Sequence, residues 1–127
     1  MKTIKVVCAI IINNDQILTT QRGYGEFKGL WEFPGGKIEL NETNKQALVR
    51  EIKEELNVDI EVNNYLCTIN YDYPTFHLEM YAYYCSIISG TIKLIEHQSL
   101  RWINKNELDT INWLEADKEI IYKLKQN

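Results

Sequence analysis

Glu51, Glu54 and Glu55 crowd together directly after Arg50. In a helix, spacings of three and four put all three glutamates on one face. Like charges so placed destabilise a bare helix by roughly 0.2–0.5 kcal/mol per pair, so isolated helix stability does not explain them. Clustered carboxylates suit hard divalent cations, whose coordination shell substrate phosphates commonly complete. Arg50 reads as an orienting partner that grips a carboxylate through paired N–H bonds; the competing reading is a surface ion pair. Upstream, Pro34-Gly35-Gly36 lets backbone approach a ligand where a side chain would block it. The combination describes a loop-to-helix device that holds metal and phosphate together.

The flanking sequence must supply that helix and a surface to fix it on. Thr43 with Gln46 three residues later forms a capping box, which starts the helix near Asn44. Leu48, Val49, Ile52 and Leu56 follow at helical spacing as an apolar stripe beside the acids. Before it, residues 3–13 are nearly continuous in Ile, Val, Cys and Ala, a strand buried on both faces. Asn13-Asn14-Asp15 turns the chain into a second strand over 16–22. Residues 23–30 carry three glycines and predict a mobile loop able to close over a ligand. A short strand near 31–33 leads into the glycines. Beyond the helix, 60–73 and 76–88 predict two long strands joined at Pro74-Thr75. Ser89-Gly90 then turns the chain into a strand or ordered loop, followed by a strand at 100–103 and a short helix at 105–108. A last helix over about 115–125 has Ile120, Ile121 and Leu124 as its stripe. Strands, helix, strands, helix is an α+β order, and no repeat or linker divides residues 1–127.

Composition narrows the partners. A net charge of −4 with no basic stripe argues against a nucleic-acid polymer, so phosphates must be met by metal ions and a few local cations. Cys8, Cys67 and Cys85 are odd in number and lack metal-ligand spacing, which predicts buried thiols in a reducing compartment. No apolar run approaches the ~18 residues of a membrane span, and no signal peptide precedes the first strand. The expectation is a cytoplasmic protein, monomeric or weakly dimeric, acting on a small molecule.

The spacing Gly36, Glu42, Arg50-Glu51-Ile52, Glu54-Glu55 and Val58 resembles the signature of the Nudix hydrolases. Asn57 stands where that pattern ends in glycine. It sits just past the helix, where a left-handed residue is wanted and Asn is the usual substitute. The likeness extends over nearly the whole chain through Arg22, residues 31–39, Tyr71-Asp72-Tyr73-Pro74, Glu96-His97-Gln98, Trp102 and Ala116-Asp117, and it is greatest to the MutT-like branch. It implies a mixed sheet sandwiched between helices. It also implies Mg²⁺-dependent hydrolysis (Mn²⁺ being the alternative metal) of a nucleoside triphosphate to monophosphate and pyrophosphate, with 8-oxo-dGTP or CTP and modified dCTP as substrates. Carried onto matching positions, the metal ligands are the Gly35 carbonyl with Glu51, Glu54, Glu55 and Glu96. Arg22 and Lys37 meet phosphates, Phe33 and Pro34 contact substrate, and Asp117 reads the base.

The chemistry gives each group a task. Carboxylate-held cations neutralise the phosphates and lower the pKa of a water. A further carboxylate then takes that water's proton, and Glu54 and Glu96 are both candidates. Glu42 either completes the metal shell or caps the first turn. An ionised Asp117 is acceptor-only, fitting two donors of a guanine edge or the cytosine amino group, although an acid also suits a helix start. Phe33, Tyr73 and Phe76 are aromatic enough to stack on a base but pack equally well in a core. His77 alternates with Phe76 and Leu78 and is expected on the exposed face; His97 has no assigned role. The alternatives are a Nudix hydrolase of ADP-ribose or a dinucleotide, and a Nudix-fold module that binds without cleaving.

Overall fold

A computed structural model describes residues 1–126. Strand β1 (Lys2–Asn13) forms the centre of a mixed sheet. It pairs antiparallel with β2 (Gln16–Arg22) and β4 (Gly35–Lys37), and parallel with β6 (Phe76–Ser89). On one side β2 continues to β3 (Trp31–Glu32) and β7 (His97–Ile103); on the other, β6 pairs with the edge strand β5 (Asp59–Tyr73). Helix α1 (Asn44–Leu56) covers one face of the sheet. A 3-10 helix (Lys105–Thr110) and helix α2 (Asp117–Gln126) cover the other.

The period-two geometry of β1 explains its unbroken apolar run. Val7, Ala9 and Ile11 pack against Leu48, Ile52 and Leu56 of α1, whereas Cys8 and Ile10 belong to the cluster under α2 with Ile120, Ile121 and Leu124. Each of the large α1 side chains is fully buried, worth about 1.5–3 kcal/mol apiece. That is enough to outweigh the repulsion among neighbouring acids. The capping box is formed in both directions, Gln46 N–H to Thr43 Oγ1 at 3.1 Å and Thr43 N–H to Gln46 Oε1 at 2.9 Å. Asn57 ends the helix in the left-handed region at φ 61°, ψ 30°. One stripe residue is corrected: Val49 is 38% exposed, and Ala47 takes the buried place.

Other departures have local causes. Residues 91–96 are the ordered loop rather than a strand. They run past the end of α1, where Lys93 N–H bonds the Leu56 carbonyl (2.9 Å) and Ile95 N–H that of Glu55 (3.1 Å), satisfying carbonyls a helix end leaves unpaired. The 23–30 segment is tied down at its base by Arg22 N–H to Leu30 O and Gly29 N–H to Arg22 O, and Phe27 rests on Tyr73 with ring centroids 5.6 Å apart. Helix α2 begins at Asp117, not 115. All three cysteines are buried and unpaired, and no described helix is long and apolar enough to cross a membrane.

Candidate active site

Glycine backbone brings β4 against α1. A Cβ on Gly36 would stand 2.3 Å from Glu51 Oε2, and one on Gly35 would stand 1.9 Å from the Val7 carbonyl. Glycine at 35 therefore permits the β1–β4 ladder, and glycine at 36 leaves room for the Glu51 carboxylate. The helix then aims its acids into a cavity of 460 Å³ lined by Glu51, Glu55, Glu96, Lys37, Arg22 and both glycines, among others. Glu96 reaches it because the 91–96 loop is stitched to the end of α1.

Arg50 Nη1 bonds both Glu51 and Glu54, but only two of the three signature acids line the cavity. Glu51 and Glu55 point into the cavity, whereas Glu54 is 56% exposed and lies outside its lining. Residues 54 and 55 are about 100° apart around a helix, so burial of one turns the other toward solvent. Glu55 is 4% exposed, and its Oε2 meets no hydrogen-bond partner among the described residues. Burial, followed by the charges of Glu51, Glu32 and Glu96, pushes its carboxyl up to about 9. Burial also raises Glu51, against the hydrogen bond and charge of Arg50. Among the described residues no three acidic, His or Cys side chains are yet gathered to one ligand point. The acids facing the cavity nevertheless offer oxygen donors, as Mg²⁺ and Mn²⁺ prefer, and a cation would relieve the charge that adds to burial in raising Glu55.

Arg50 is no loose surface pair. Its Nε and Nη2 grip both oxygens of Glu42 at 2.7 and 2.9 Å. Nη1 reaches Glu51 at 2.9 Å and Glu54 at 3.2 Å, and Nη2 also donates to the Lys37 carbonyl at 3.0 Å. Glu42 is thus the clamp of this arginine rather than a free ligand. The Arg50 bond, then the Glu39 N–H, hold its carboxyl down at about 2. Arg22 is likewise engaged, bidentate on Glu32 at 3.1 Å for each bond.

A second cavity of 130 Å³ adjoins the first and shares Arg22, Glu32, Gly35 and Gly36 with it. Phe27, Phe33, Tyr73 and Phe76 line it, and Asp117 supplies a buried carboxyl. Phe33 also packs on Trp113 at 4.8 Å, so it serves core and cavity together. Asp117 is 4% exposed, and Phe33 N–H donates to its Oδ2 at 2.9 Å. Burial and then the Glu32 charge push Asp117 up to about 8. The shift favours the protonated form, which offers a donor beside an acceptor, whereas the acceptor-only role belongs to the ionised form. Pro34 is corrected: its carbonyl accepts the Ala9 N–H at 2.8 Å, and it lines neither cavity. His77 bonds Asp72 at 2.5 Å and Asn70 at 3.0 Å on the β5–β6 hairpin, away from both cavities.

Sequence reasoning missed Glu32 and Phe27. Glu32 lies on a two-residue strand with no periodicity to mark it, and only pairing with β2 sets it beside Arg22. Phe27 is one aromatic in a glycine-rich loop, and only the path of that loop brings it to Tyr73.

Known proteins resemble this chain in sequence and fold. The CTP pyrophosphohydrolase of Escherichia coli K12 is 39% identical over 108 residues, covering 84% of this chain and 80% of that protein. The 8-oxo-dGTP diphosphatase of the same organism is 30% identical over 128 residues, with 99% of each chain covered. The solution structure of a MutT protein of the Nudix hydrolase family from methicillin-resistant Staphylococcus aureus 252 superposes with a TM-score of 0.76. It is 41% identical and covers 99% of this chain and 96% of that one. The NUDIX domain model matches residues 6–123, and the chain belongs to the Nudix family.

Proposed function

We propose that the chain hydrolyses a nucleoside triphosphate to the monophosphate and pyrophosphate, with Mg²⁺ held by Glu51, Glu55, Glu96 and the Gly35 carbonyl, and Glu54 at the rim. The observation that carries this reading is the junction of an acid-lined cavity with an aromatic pocket ending in a buried carboxyl. One fits metal and phosphates, the other a base. Nudix hydrolases generally need a divalent metal, and the donors here fit one: a carboxyl oxygen of Glu55 without a partner, burial and then neighbouring acids that raise its pKa, and a glycine cradle beside Glu51. Bound Mg²⁺ supplies neutralisation of the phosphate oxygens and a more acidic water.

The residues of the chain do the rest. Arg50 holds Glu51 and Glu54 in place from the Glu42 clamp. Lys37 and Arg22, at the cavity wall, meet phosphate oxygens, which compete with Glu32 for the Arg22 guanidinium. A carboxylate, Glu54 or Glu96, takes a proton from water as its oxygen bonds to phosphorus. The α–β phosphoanhydride P–O bond breaks, and its bridging oxygen departs with the electron pair, giving monophosphate and pyrophosphate. Asp117 offers its donor and acceptor to the base edge, a pairing open to N3 and N4 of cytosine and to O6 and N1 of guanine alike.

Relatives named for CTP and for 8-oxo-dGTP define the substrates to compare. The test is a Mg²⁺-dependent screen of CTP, 5-methyl-dCTP, dGTP, 8-oxo-dGTP and ADP-ribose, reading kcat/KM for each. The reading expects a cytosine or oxidised-guanine triphosphate to lead by at least tenfold. ADP-ribose in first place, or no turnover of any triphosphate, would overturn it.

A further inference from the structure

His97 opens β7 opposite Arg22 of β2, at a break in the register of that pair. The side chain is 5% exposed. Its Nε2 lies 3.2 Å from Glu32 Oε2 and 3.7 Å from Glu55 Oε1. The same Glu32 Oε2 also accepts Arg22 Nε at 3.1 Å. A row of four side chains therefore crosses the floor of the larger cavity, from Arg22 through Glu32 and His97 to Glu55 on α1.

A histidine buried merely to fill space would face apolar neighbours or satisfy its ring nitrogens locally. Here Nδ1 meets no partner among the described residues, whereas Nε2 bonds the Glu32 carboxylate and faces the Glu55 carboxyl. Acceptors on that side fix the proton on Nε2. Glu55 has one oxygen near this N–H and the other without a partner. The imidazole bonds Glu32 and packs against Glu55 at 3.7 Å, beyond hydrogen-bond reach; losing an outer-sphere group that orients a metal's ligands typically lowers metal affinity by about 10–100-fold.

We propose that His97 is a positioning residue: with its Nε2–H anchored on Glu32, it keeps the Glu55 carboxylate turned into the cavity and ties it to Arg22. The proposal rests on the metal-dependent reading above. The experiment is a Mn²⁺ titration of the nucleotide-free full chain by electron paramagnetic resonance, on wild type, His97→Ala, His97→Leu and His97→Gln, with melting curves for each. Leucine keeps the packing volume, so it carries the test should alanine fail to fold. Glutamine can place an amide N–H near the Nε2 position. Alanine and leucine should bind Mn²⁺ about 10–100-fold more weakly, and glutamine should recover most of the loss. Leucine or alanine affinity within twofold of wild type would overturn the proposal, whatever happens to melting. So would glutamine binding as weakly as leucine. If wild type itself binds no Mn²⁺, the metal reading fails and this proposal fails with it; equal binding by all four proteins sinks the role of His97 alone.

Discussion

Replacing Gly36 by alanine should separate the reaction from the fold. The added Cβ would lie 2.3 Å from Glu51 Oε2, 2.4 Å from Cδ and 2.7 Å from Oε1. Ordinary C···O contacts begin near ~3.3 Å, so the carboxylate must withdraw by about 1 Å. It stands at the end of a flexible side chain, and its retreat also stretches the 2.9 Å bond from Arg50. Stability should fall by no more than ~1 kcal/mol, whereas a 1 Å misplacement at a reacting site can cost about 100-fold. Gly35→Ala is the contrasting control. There the Cβ meets the Val7 carbonyl at 1.9 Å and the Cys8 Cα at 2.7 Å. Neither is a movable side-chain end, so the β1–β4 ladder must open, at about 3 kcal/mol or more. The assay is kcat/KM with saturating Mg²⁺, together with urea denaturation. More than a tenth of wild-type activity in Gly36→Ala would refute the reasoning, and so would a Gly35→Ala protein as stable as wild type.

Other substitutions test separate parts of the account. Asp117→Asn should stabilise the protein increasingly from about pH 4 to pH 8. Below that window the carboxyl is protonated folded and unfolded alike. Within it the unfolded chain ionises first, so wild type loses stability until the native group titrates near 8. At ~1.4 kcal/mol per pH unit the ceiling is roughly 6 kcal/mol, and a constant difference in urea midpoint across that range would exclude the buried proton. Asn57→Gly should raise stability by a few tenths to ~1 kcal/mol by relieving the left-handed backbone at φ 61°, with catalysis unchanged; a lower melting temperature would contradict it. Glu54→Gln should lower kcat at least ~100-fold if this exposed acid is the general base. Retention of more than a tenth of the activity would leave Glu96 as the candidate.

The parts legible in the sequence are those set by neighbours in the chain. Thr43 and Gln46 cap each other across three residues, Asn57 ends the helix by its own backbone preference, and β1 reveals its two buried faces through alternation. The parts that were not legible depend on contacts from distant segments. Spacing alone carries no information on which side of the acidic stripe meets the sheet, and so does not separate Glu54 at the rim from Glu51 and Glu55 in the cavity. Val49 belonged to the apolar pattern yet falls at the margin of that contact. Glu42 left two readings open until Arg50 folded over it. The ionisation of Asp117 is not legible in sequence, because its burial and the Glu32 charge beside it come from distant segments. Glu96 and His97 reach the cavity only because the loop before β7 pairs with the carbonyls ending α1.

The most direct measurement is a quantitative product analysis on the best nucleoside triphosphate, by phosphorus NMR, with Mg²⁺ present and then removed by EDTA. The account predicts one pyrophosphate per monophosphate with Mg²⁺, no turnover in EDTA, and recovery when Mg²⁺ is restored. Orthophosphate with nucleoside diphosphate as the products, or turnover that persists in EDTA, would contradict it.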